Sequence, residues 1–266
     1  MLDDVLMNII QEQAPDDEVA ILFSGGIDSL TCAFAAERLG KKIHCYTFYV
    51  DGEYTPDSTA AIKIAKQFDW PLTLIDVPVD NIKEDFLKLI HEYNCFKKTQ
   101  VECTYPFLYI FPEIKERCVL SGVAADGHYG VSRKATQHYR HTQELFDEFR
   151  RDYFSAENPA GILQLRQLAE EYDKVLCAPY LEDSVFEWAS NFSWREMNGP
   201  PQKAPVIESF SEFQKIKVRR HANLQLVSNI DKHFLKLLDN KELNVYNRKS
   251  IMHMVSDVYN MGATLF

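Results

Sequence analysis

Val19-Ala20-Ile21-Leu22-Phe23 is an unbroken apolar run, too short for a helix and closed on its far side by two glycines. That is the pattern of a short β-strand. After Ser24-Gly25-Gly26, the stretch Leu30–Leu39 places apolar residues at helical spacing and stops at Gly40, so the order predicted is strand, glycine turn, helix. Ile43–Val50, nearly all aromatic or β-branched, predicts a second strand. Asp57, directly after Pro56, reads as the N-cap of a helix with Ala60, Ala61, Ile64, Ala65 and Phe68 on one face. Leu72–Val77 predicts a third strand. Asp80 then reads as the cap of an amphipathic helix carrying Ile82, Phe86, Leu89, Ile90 and Tyr93, and Arg117–Ser121 as a fourth short strand. Strands separated by helices of this length imply βαβ units and a parallel sheet, whose ligands bind beyond the carboxyl ends of the strands.

The pattern changes after about residue 136. Residues 143–154, 161–172 and 184–192 have helical spacing, and Asn198-Gly199-Pro200-Pro201 interrupts it. A polar, partly basic segment from Lys203 to Arg220 follows, and then helices to residue 266. The expectation is one domain over 1–266. Residues of about 15–135 form an α/β nucleotide-binding core, and about 136–266 form a helical region packed on it.

A length of 266 residues suits one large α/β domain. Twenty-nine basic residues against thirty-nine acidic leave a net charge of −10, which disfavours broad electrostatic binding of nucleic acid. No apolar stretch approaches a membrane span, and the first ten residues lack a signal peptide's basic start. A cytoplasmic location with no membrane partner is the expectation. The six cysteines have no CxxC spacing and read as reduced, mostly buried thiols, with Cys95 and Cys103 the only pair close together in a loop-like region. His138 and His141 lack the companions of a zinc set and read as a solvated helix start.

The glycine turn is where the chemistry concentrates. Ser24-Gly25-Gly26-Ile27-Asp28-Ser29 joins a strand to a helix, so free backbone N–H groups and a helix N-terminus converge on one point. Ser24 and Ser29 add hydroxyl donors. Asp28 would repel a phosphate held there unless a cation lay between them, and Mg²⁺ is the usual one. The turn lacks the Gly-Lys-Ser/Thr ending of a P-loop and the three spaced glycines of a dinucleotide fingerprint. It resembles the SGGxDS loop of the ATP pyrophosphatases, which split ATP between the α and β phosphates and hold the pyrophosphate in that loop.

A second glycine-bounded loop, Ser121-Gly122-Val123-Ala124-Ala125-Asp126-Gly127-His128-Tyr129-Gly130, also follows a strand and carries one acid. Asp28 and Asp126 at two strand ends are candidates to hold Mg²⁺ against a triphosphate. The loop resembles the second signature of the asparagine synthetase family, SGxGxDExxGGY, with Ser121, Gly122, Asp126 and Gly130 matching. Glu102-Cys103-Thr104-Tyr105-Pro106 stands where that family has an acidic, loop-forming segment. Ala178-Pro179-Tyr180-Leu181-Glu182 is similar to its V-P-F-L-D, Lys203 follows at the distance of a lysine that contacts the reacting phosphates, and Lys215, Lys217, Arg219 and Arg220 resemble the basic stretch after it.

The resemblance, running from about Glu18 to Arg220, implies the adenine nucleotide alpha hydrolase-like (HUP) fold: a doubly wound parallel sheet with an additional C-terminal helical region. It implies ATP and Mg²⁺ as cofactors and an AMP- and pyrophosphate-forming ligase that activates a carboxylate for attack by ammonia or an amine. The ATP and pyrophosphate contacts fall on Ser24, Gly25, Gly26, Asp28, Ser29, Ser121 and Gly122, the metal on Asp28 and Asp126, and the catalytic roles on Lys203, Asp28 and Asp126. The sequence also departs from the family. Leu2 stands where the glutaminase domain of its amidotransferases has cysteine, so the nitrogen is expected from ammonia, an amine-bearing substrate or a separate glutaminase subunit. Val123 and Val175 replace residues expected to handle the proton of the attacking amine, with Asp173 the nearest acid to the latter. Two other readings stand beside the ligase: a PP-loop enzyme thiolating or aminating a nucleobase or tRNA, and a non-catalytic ATP-binding partner protein.

Overall fold

In the computed structural model, which describes residues 1–219 and 222–263, five parallel strands form one sheet of order β3-β2-β1-β4-β5. They are β1 (Glu18–Leu22), β2 (Lys42–Val50), β3 (Leu72–Val77), β4 (Cys118–Leu120) and β5 (Val175–Cys177). Successive strands step outward from β1 to one edge, and then the chain crosses back to build the other half. The direction of winding therefore reverses between β1 and β4, which pair with Val19 opposite Cys118 and Ile21 opposite Leu120. This is the doubly wound arrangement, and the crevice it opens lies beyond Leu22 and Leu120.

The two-residue period of β1 divides the interior. Val19 and Ile21 enter a core with α1 (Leu2–Gln13), α2 (Ile27–Arg38) and α3 (Pro56–Phe68), whereas Ala20 and Leu22 enter another with α4 (Ile82–His91) and α5 (Lys98–Thr104). Both faces being covered explains why β1 reads as a continuous apolar run.

Two expected caps are corrected. Thr55 caps α3, its hydroxyl accepting from the Ser58 N–H at 3.0 Å, and Pro56 takes the first helical position where its missing N–H costs nothing. Asp57 consequently sits inside the first turn, its carboxylate 2.9 Å from an Arg219 nitrogen. α4 begins after Asn81 with no side-chain cap, so Asp80 does not serve as one, and the buried stripe of Phe86, Leu89 and Ile90 sustains the helix.

The region after residue 136 straddles the sheet. Val206, Phe210 and Phe213 join the core of α1–α3, while Ile230, Phe234, Met254 and Val255 join the opposite one. The segment from Lys203, read as polar, thus has an apolar side. The region also supplies β5, whose three residues are too few to carry an alternation signal. No helix among the described residues is long and apolar enough to cross a membrane.

Candidate active site

The first loop is wrapped before any ligand arrives. The Gly26 N–H donates to Ser24 Oγ at 3.2 Å, the Ser24 N–H donates to Ser29 Oγ at 3.3 Å, and Ser29 Oγ donates to the Gly26 carbonyl at 3.1 Å. Gly25 has φ +69°, and a Cβ there would stand 3.0 Å from the Ala61 nitrogen, so the turn both needs glycine and lies flat on α3. The second loop leans on the first. A Cβ added at Gly122 would come within 2.6 Å of the Asp28 carbonyl carbon, so Gly122 is what lets the two loops meet.

Asp28, in the first turn of α2, and Asp126, in the short helix Ala125–Tyr129, converge on Lys203. Its Nζ donates to Asp28 Oδ1 at 2.7 Å, Asp28 Oδ2 at 2.8 Å and Asp126 Oδ1 at 3.1 Å, and lies 4.4 Å from the centre of the Tyr129 ring. Lys203 is 2 % exposed and has φ +63°, its backbone N–H donating to the Met197 carbonyl at 2.7 Å as the helix Ala204–Glu208 begins. Burial alone would lower its pKa; the carboxylates of Asp28 and Asp126 outweigh that and hold it above the ordinary lysine value. The residue is therefore an ammonium, not a base, at neutral pH.

A buried brace holds the loops from behind. Tyr180 and Thr31 share a hydrogen bond of 2.6 Å, and Thr31 donates to the Asp28 carbonyl at 2.9 Å. The Tyr180 carbonyl is 2.7 Å from His128 Nε2, and burial pushes His128 down to about 4, keeping the ring neutral. The 178–182 segment thus buttresses the site without lining it.

A cavity of about 530 Å³ opens over the loops. Its wall includes Ser24, Gly26, Asp28, Ser29, Ser121, Gly122, Asp126 and Lys203, and Gly25 supports it through α3. Arg219 lines it, donating to Pro56 O at 2.8 Å as well as to Asp57. Lys215 and Lys217 are exposed and do not line it, and Arg220 lies outside the described residues. Val123 lines the cavity, but Val175 does not: it is 39 % exposed on β5 and registers with Cys118 at the amino end of the sheet. Its place as an amine-handling position is withdrawn, because both loops leave the opposite end. Glu102 faces away, while its neighbours Cys103 and Thr104 line the wall.

The wall also holds residues that sequence reasoning passed over, among them Asp57, Lys97, Gln100, Tyr153 and Gln225. Asp57 carried a signal, an acid at a helix start beside a strand end, but read as a cap. The others come from three segments, 97–100 and the surroundings of Tyr153 and Gln225, with no shared spacing.

Two carboxylates meeting at one cation suit Mg²⁺, which takes one or two protein carboxylates and leaves its other positions to phosphate oxygens and water. The donor set fits. No cluster of three or more metal-ligating side chains occurs among the described residues, and His138 and His141 are exposed. All six cysteines are free thiols, and burial pushes Cys95 and Cys103 each up to about 12.

No curated protein matches the chain. Among solved structures, a predicted subunit of tRNA methyltransferase from Methanocaldococcus jannaschii aligns at 17% identity and a TM-score of 0.37, covering 66% of this chain and 75% of that one. The family model for asparagine synthase matches residues 1–233, a span that reaches beyond the motifs at both ends and takes in α1. The chain belongs to the asparagine synthase family.

Proposed function

We propose that this member of the asparagine synthase family is an AMP- and pyrophosphate-forming ligase that activates a carboxylate as an acyl-adenylate and passes it to ammonia or an amine. The observation that carries the reading is the Lys203 ammonium, buried between Asp28 and Asp126 at the floor of the cavity and beside the serine-glycine loop. In the first half-reaction a carboxylate oxygen bonds to the α-phosphorus of ATP as the bond to the bridging oxygen breaks, and pyrophosphate leaves with the electron pair. In the second, an amine attacks the acyl carbon and AMP departs.

The leaving pyrophosphate gathers negative charge, and every part of this floor opposes that charge. The N–H groups of Gly25 and of the start of α2 present donors, the hydroxyls of Ser24 and Ser121 add more, Ser29 holds the loop in shape, and Lys203 supplies a full positive charge. Asp28 and Asp126 would hold Mg²⁺, which would supply positive charge against the phosphates. Because the donors are fixed by the loop's own hydrogen bonds and by the Thr31–Tyr180 brace, little reorganisation is left for the reaction. A sulfur-transfer reading finds no support in thiols held far above neutral pH.

The test is to incubate the protein with Mg-ATP and a library of acids with ammonia or amines, following phosphorus NMR. AMP with pyrophosphate is the expected product pair. ADP with phosphate would refute the reading, and tight ATP binding with no pyrophosphate under any acceptor would favour the non-catalytic alternative.

A further inference from the structure

Resting on the carboxylate-activating reading, we infer that the acid bound beside ATP carries no ammonium group: it is a hydroxy, oxo or dicarboxylic acid, or an N-acylated amino acid, rather than a free amino acid. The cavity extends from the loops to a second lobe between α5, the turn at 158–161 and the segment 222–225. The three acids on its wall among the described residues belong to the phosphate side. Asp28 and Asp126 share Lys203, and Asp57 pairs with Arg219. Among the described residues of the second lobe the charged side chain is a cation, Lys97.

The neutral groups point to the same chemistry. Gln100 Oε1 accepts from the N–H groups of both Phe96 and Lys97, at 3.1 and 3.0 Å, so its orientation is forced and its amide nitrogen remains to donate. Gln225 Oε1 accepts from the Cys103 thiol at 3.6 Å, which likewise turns its nitrogen outward as a donor. Lys97 can only donate, and Thr99 adds a hydroxyl. A lobe whose glutamine carbonyls are spent on the protein suits hydroxyl, carbonyl and carboxylate oxygens. An ammonium brings three donors to donors and a positive charge to Lys97.

Matched pairs test this: succinate against aspartate, glutarate against glutamate, and N-acetylaspartate against aspartate. Each is assayed for AMP release with Mg-ATP, and for calorimetric binding to the protein saturated with α,β-methylene-ATP and Mg²⁺. The member without an ammonium should be favoured by about tenfold or more in both assays. Gln225→Glu, which places a carboxylate in the lobe, should narrow or reverse the ratio. AMP release that is equal or faster with the amino members overturns the inference and leaves the ligase reading standing. If no acid elicits AMP, the ligase reading fails, and calorimetry decides the inference alone: no acid binding, or equal binding within pairs, overturns it.

Discussion

An ammonium as deeply buried as that of Lys203 survives because two carboxylates surround it, and those same carboxylates tolerate each other because the ammonium lies between them. Removing the charge should therefore expose a cation site. We expect Lys203→Met to lose about 10²–10³-fold in AMP release while retaining its far-UV circular dichroism. Mg²⁺ without nucleotide should raise the melting temperature of that variant and leave the wild type unmoved. A wild-type protein equally stabilised by Mg²⁺ alone would mean that the lysine does not hold the cation's place. Ala124 offers a second test. It has φ +71° at a position where the family signature has glycine, and the left-handed conformation costs a residue with a Cβ about 1 kcal/mol. Ala124→Gly should raise the melting temperature by about 2–4 °C with no change in fold, and an unchanged or lower value would show the strain to be absent. Neither residue was fully legible in the sequence. Lys203 stood out only through the order of motifs around it, since a lone lysine after a proline pair has no periodic signal.

Elements were legible where burial repeats. β1 announces itself as an unbroken apolar run, β2 by its aromatic and β-branched residues and α2 by apolar positions recurring near 3.6, and the first loop is flanked by the first and the last of these. β5 does not, being three residues long, and the second lobe does not, because α5 and the segment 222–225 meet only through the fold. The contact between the two loops depends on one missing atom. Gly122→Ala would push a Cβ against the Asp28 backbone, which cannot yield as a side chain would, and the loops must part. Calorimetry should then show Mg-ATP affinity falling by about tenfold or more, whereas unaltered affinity would mean that the contact is not needed. α5 carries a separate cost. Glu102 is 1 % exposed, neither oxygen has a hydrogen bond among the described residues, and the Lys98 ammonium lies 3.3 Å away. Burial raises its carboxyl pKa, so the folded state prefers the proton. The charge therefore destabilises the fold above the raised value, and this penalty fades as pH falls from there and is gone below the ordinary 4.5. Glu102→Gln should melt higher than wild type at pH 7 and lose that advantage near pH 4. An equal advantage at both values would rule out the charge as its origin.

The molecule as a whole puts its acidic balance to one side of its chemistry. A net charge of −10 accompanies a cavity whose floor gathers donors and cations for phosphates, and Tyr153, Cys103 and Lys203 on its wall hold their protons well above neutrality. Burial pushes the Tyr153 hydroxyl up to about 12, with Asp126 adding to the shift, and the Cys103 thiol up to about 12 as well. Lys203 is held above its ordinary value, so it remains an ammonium until well into the alkaline range. Val123, facing the cavity, accepts nothing. With no base supplied by these groups, we expect the attacking amine to reach the acyl-adenylate already as the free base, and the fraction in that form grows tenfold per pH unit below the amine's own pKa. With the amine below saturation, the amide-forming rate should climb between about pH 7 and pH 9 with a slope near one and level off at the amine's pKa. The plateau should move when amines of different pKa are compared, whereas a protein base would fix it. Lys203 would end the rise only above 10.5, as its own charge is lost. Measuring the rate with two amines of well-separated pKa decides the matter, and one common plateau for both would reveal a general base on the protein.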